Sequence, residues 1–168
     1  LRFVAMAGYD WDADAARGRV RDLEIRVGGN ESVSVELFSP EGLAQEVPFR
    51  HVAVGTGSRT VCVAGQVSAT SSGGPVAPGD LPGQVAQALR NVAAGLAGAG
   101  ARFTDVVRLR FYLTDWRTEK HDDFLAGIAE VADELGIPQP MPPSTLIGVA
   151  ALFEPHVLVE IEATAVLD

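Results

Sequence analysis

From Val157 to Ala165 the chain alternates with period two, setting Val157, Val159, Ile161, Ala163 and Ala165 on one face and Leu158, Glu160, Glu162 and Thr164 on the other. That pattern predicts a half-buried strand. Glu154-Pro155-His156 is a turn, and the apolar run before it, after Pro142-Pro143-Ser144-Thr145, predicts a second strand. A carboxylate pair on an otherwise apolar strand implies a wet face, a site or a subunit contact.

Upstream the period changes. Val85, Leu89, Val92 and Leu96 recur at three- and four-residue spacing, with Ala88 and Ala93 filling the stripe. Asp80 as N-cap and Pro82 in the first turn open this helix, and Gly98 and Gly100 stop it. Val107, Leu109, Phe111 and Leu113 predict the buried face of a strand, with Arg108, Arg110 and Tyr112 opposite. Phe124, Leu125, Ile128, Val131, Ala132 and Leu135 form a second helical stripe, ended by Gly136 and Pro138. Phe49 to Gln66 predicts a hairpin turning at Gly55-Thr56-Gly57-Ser58; a lone G-x-G with no helix after it is weak evidence for phosphate binding, and a turn needs the same residues. Arg21 to Phe38 is either another hairpin or part of a loosely ordered extension. The order of elements predicts an α+β layer, with two helices on one face of a mixed sheet. The other sheet face carries Arg108, Arg110, Tyr112, Glu160 and Glu162; covering it with identical subunits predicts an oligomer.

Composition narrows the function classes. At 168 residues one domain with a sizeable core is expected. A net charge of −9 without a basic patch argues against a nucleic-acid partner. No apolar run approaches the roughly 20 residues of a membrane span. The single cysteine, Cys62, excludes an intrachain disulfide and fits a reducing compartment, so a cytoplasmic location is expected. Within Val61-Cys62-Val63 it is expected to be a buried small hydrophobe. The three histidines show no metal-ligand spacing, so no metal is expected. A G-x-S-x-G nucleophile elbow is absent. His51 has the chemistry of an acid/base group, although a single histidine on a strand edge is more often structural. His121 and His156 belong to solvated turns.

Several motifs in order carry a family resemblance. Gly65-Gln66, Pro78-Gly79-Asp80-Leu81-Pro82-Gly83-Gln84-Val85, Asp105-Val106-Val107, Tyr112-Leu113-Thr114-Asp115 and Glu160-Ile161-Glu162-Ala163 resemble the RidA/YjgF family of reactive-intermediate deaminases. The likeness covers 33–168, leaving 1–32 as an N-terminal extension. It implies a chorismate-mutase-like α+β fold, a homotrimer and intersubunit clefts that hydrolyse imines or enamines of small metabolites without cofactor or metal. Glu160 matches the family's glutamate, which with backbone groups places the attacking water. Ser144 stands where the family has the arginine that clamps a substrate carboxylate, Leu146 stands at its cysteine, and Phe49 matches its aromatic, with Arg50 and His51 beside it. A hydroxyl does not replace a guanidinium; losing that contact costs on the order of 2–3 kcal/mol. Ser144 and Thr145 therefore suit a neutral ligand better than an α-imino acid. Substrate contacts are expected from Ser144, Thr145, Phe49 and His51, and catalysis from Glu160. The competing readings are a non-catalytic metabolite-binding or chaperone-like trimer, and, for Glu160 and Glu162, cross-strand pairing with Arg108 and Arg110.

Overall fold

The computed structural model describes residues 34–41, 43 and 47–168. The extension over 1–32 and the first strand of the Arg21–Phe38 hairpin lie outside them. Among the described residues six strands and two α-helices follow in the order β1 (Ser34–Phe38), β2 (Val52–Thr56), β3 (Arg59–Val67), α1 (Leu81–Gly98), β4 (Val106–Thr114), α2 (His121–Leu135), β5 (Ser144–Val149) and β6 (Val159–Leu167). The main sheet has the order β3-β6-β4-β5, with β6 antiparallel to β3 and β4, and β5 parallel to β4. It is the mixed sheet of an α+β fold.

The inward faces of the strands meet the helical stripes in one core. Val159, Ile161 and Ala163 of β6 and Leu109, Phe111 and Leu113 of β4 pack with Val85, Leu89, Val92 and Leu96 of α1 and Phe124, Ile128 and Val131 of α2. Phe111 and Phe124 meet edge to face, centroids 5.0 Å apart, a favoured aromatic geometry. Gly127 brings the helices together, since a Cβ there would stand 2.7 Å from Val85 Cβ. Asp80 occupies the N-cap of α1 without a side-chain cap bond, and Gly136 ends α2 in the left-handed region at φ 64°, where glycine pays no Cβ penalty.

Three expectations change. The strands of the Phe49–Gln66 segment form, but β2 pairs with β1 in a separate two-stranded ribbon, while β3 pairs with β6. The ribbon reaches over one corner of the outward sheet face, where Gly55 lies against Val107 and Val166 (a Cβ there would stand 2.9 Å from Val166 Cγ2). The register between β4 and β6 shifts between Val106 and Arg108, so Val106 is the buried residue and Val107 turns outward; a bulge does this by inserting one unpaired residue. Cys62 is exposed, not buried. Alternation in β3 points Val61 and Val63 inward and sets Cys62 outward beside Thr164.

Candidate functional site

The two glutamates of β6 have different surroundings. Register with β4 places Arg110 beside Glu162 and Tyr112 beside Glu160. Arg110 Nη1 donates to Glu162 Oε2 at 3.2 Å and Tyr112 Oη donates to the same oxygen at 3.1 Å. The cross-strand pairing expected as an alternative thus takes Glu162. The side chain of Glu160 makes no hydrogen bond or ion pair among the described residues. Its carboxylate lies over Gly65, at a register shift in β3 between Val63 and Gln66. A side chain at position 65 would occupy the carboxylate's place.

Four of the five expected site residues line one cleft of about 500 Å³. Phe49 and His51 come from the segment leading into β2, Ser144 and Thr145 from the start of β5. That leading segment is stitched to the connector before β5: Arg50 N–H donates to Met141 O at 2.7 Å, and Met141 N–H donates to Pro48 O at 3.0 Å. Phe49 and His51 stand edge to face at 5.4 Å, and His51 Nδ1 lies 3.0 Å from Ser39 Oγ. Ser144 donates its hydroxyl to Pro142 O at 2.8 Å, so part of its bonding capacity is spent locally. Thr145 is exposed beside Arg110 in register.

Glu160 is not brought to this cleft within one chain. Arg108, at the cleft, is level with Thr164, whereas Glu160 is level with Tyr112. Four residues of strand separate those levels, about 13 Å at the usual rise.

The cleft also holds two cations not expected to contact substrate: Arg50, and Arg108, which was expected as a cross-strand partner of the glutamates but is level with Thr164 and points outward from β4 beside the bulge. Their positions next to Phe49 and on the polar face of β4 were the available signals. A second cavity of about 530 Å³ adjoins the first through Phe49 and Ser144 and is walled by Phe111, Trp116, Phe124 and Leu146. His121, expected in a solvated turn, is the exposed first residue of α2 and lines this cavity. His156 Nδ1 faces Glu154 Oε2 at 3.2 Å, away from both cavities. No helix among the described residues is long and apolar enough to cross a membrane.

A mixed sheet of this order backed by two helices is the α+β fold of the Rid/YjgF class of proteins. The family model described as endoribonuclease L-PSP matches residues 41–167, and the chain belongs to that family. Among solved structures, the Rid-family protein of unknown function YyfB from Yersinia pestis is similar at 35% identity, covering 80% of this chain and 99% of that one with a TM-score of 0.70. TdcF from E. coli with bound serine is similar at 26% identity, covering 73% of this chain and 97% of that one with a TM-score of 0.56. A YjgF-family member from Mycobacterium tuberculosis is 29% identical, covering 80% of this chain and 100% of that one with a TM-score of 0.50. No curated protein sequence matches the chain.

Proposed function

We propose that this protein hydrolyses reactive imines or enamines of small metabolites at clefts between the subunits of a homotrimer. Water adds across the C=N bond and ammonia leaves, giving a ketone; no cofactor or metal enters this chemistry. Glu160 accepts a proton from the attacking water and returns it to the departing nitrogen. Phe49 forms an apolar wall, and Ser144, Thr145 and His51 contact the substrate.

The observation that carries this reading is the unengaged carboxylate of Glu160, two residues from a glutamate whose carboxylate is held by an arginine and a tyrosine. A general base works best without a cation holding its carboxylate, and of the pair only Glu160 has none. The distance from Glu160 to the cleft along one chain supports a site shared between subunits, where a neighbour's glutamate faces this chain's cleft. The serine bound to TdcF supports a small-molecule ligand. The nuclease activity in the family description fits poorly with a net charge of −9.

A non-catalytic small-molecule-binding trimer is the second reading, favoured by the local bond that Ser144 makes to Pro142 O. Ammonia release from 2-iminopropionate and from a neutral imine separates the two. Glu160→Gln is expected to lower turnover about 100-fold. Absence of Glu160-dependent turnover on both substrates rejects the hydrolase.

A further inference from the structure

We propose that Arg108 and Arg50 together hold a carboxylate in the cleft, so the cation missing at position 144 is supplied from two other places in the chain. The inference rests on the hydrolase reading in taking this cleft as the substrate site, and it reverses the preference for a neutral ligand that Ser144 alone suggested.

Acids outnumber bases 22 to 13 in this chain, and four of the eight described cations are ion-paired with one. Arg90 pairs with Glu134 and Glu130, Arg110 with Glu162, and Arg117 and Lys120 with Asp115. Arg50 and Arg108 have no acidic partner among the described residues, and both line the same cleft, which no acidic side chain lines. Each is delivered there by its backbone. The bulge at Val107 precedes Arg108 on the outward face of β4, and the N–H of Arg50 is fixed to Met141 O at 2.7 Å.

Guanidinium forks match carboxylate geometry, and they keep their charge at every pH the protein meets. Phe49, Val52 and Val107 supply apolar wall beside them. Two guanidinium groups set beside apolar wall suit a short-chain organic acid better than an inorganic anion. The absent arginine therefore marks a relocated cation and not a lost specificity.

Isothermal titration of the full chain with 2-oxobutanoate and with its uncharged counterpart butan-2-one tests this without requiring turnover. The acid should bind at least tenfold tighter than the ketone. Arg108→Gln and Arg50→Gln should each weaken the acid about tenfold, and the double variant should erase the preference while leaving the ketone unchanged. Arg108→Lys should retain part of it, and circular dichroism checks that each variant folds. Equal affinity for the two probes overturns the proposal. So does a double variant that keeps its acid affinity, or one that changes only the oligomeric state, which would assign the arginines to acids of a second copy. Acid binding through the arginines without any ammonia release supports this inference and rejects the hydrolase reading, so the two fail separately.

Discussion

The carboxylate of Glu160 lies over the backbone of Gly65 on the neighbouring strand, in space that a Cβ at position 65 would take. The irregular register of β3 at this point leaves Gly65 and Ala64 without a regular partner on β6. A bulge of this kind re-aims what stands opposite it. Gly65→Ala should therefore displace the glutamate with little effect on the core, because the clash is with a half-exposed side chain. Turnover should fall at least tenfold while the thermal midpoint moves by only a few degrees. Full activity in Gly65→Ala would show that the glutamate's position does not matter.

Glu162 should behave in the opposite way. Its ion pair with Arg110 is more than one-third exposed on both sides (37% and 41%), so solvent screening limits its contribution to at most about 1 kcal/mol. Glu162→Gln should reduce stability by up to that amount in urea unfolding and leave kcat within a factor of about two, whereas Glu160→Gln should spare stability and remove turnover. A loss of activity in Glu162→Gln matching that of Glu160→Gln would move the catalytic role to the pair.

These contrasts explain what the sequence made legible. Period two along β6 assigned each residue to its face, because one face of that strand is buried and the other is not. The same pattern left open which of Glu160 and Glu162 would be paired, since that depends on register with β4. Face assignment also does not name a neighbour, and so β2 was expected beside β3 although it pairs with β1. Cys62 misled through its apolar neighbours, when alternation alone would have turned it outward. The inversion at Val107 comes from a bulge that no alternating pattern displays. Phe49, His51, Ser144 and Thr145 are far apart in the chain, and their common cleft depends on the backbone bonds between Pro48, Arg50 and Met141.

Gln84 shows a structural role that apolar periodicity hides. It is 1% exposed on the buried stripe of α1. Its Nε2 donates to His156 O at 2.9 Å and to Ala77 O at 3.3 Å, and its Oε1 accepts from Leu158 N–H at 2.9 Å. It thus ties the turn before β6, and the loop before α1, to the helix. Gln84→Met keeps the volume and strands those backbone groups, at a cost of roughly 2–3 kcal/mol. Chemical denaturation measures it; a loss below about 0.5 kcal/mol would mean that water replaces the amide.

Asp115 turns the chain from β4 toward α2 with φ 48°, in the left-handed region. Hydrogen bonds from Arg117 and then Lys120 hold its carboxyl below its ordinary value of 3.8. A carboxyl depressed in the folded state contributes stability that is fully present above the unfolded value and disappears as pH falls through the folded one. Asp115→Asn tests this cleanly, because asparagine also tolerates left-handed backbone. The wild type should melt slightly higher than the variant near neutrality, and the gap should close as pH falls below 3.8. The side chain is exposed, so 0.5 M salt should narrow the gap at neutral pH as well. A gap independent of both pH and salt would assign the contribution of Asp115 to backbone conformation and not to charge.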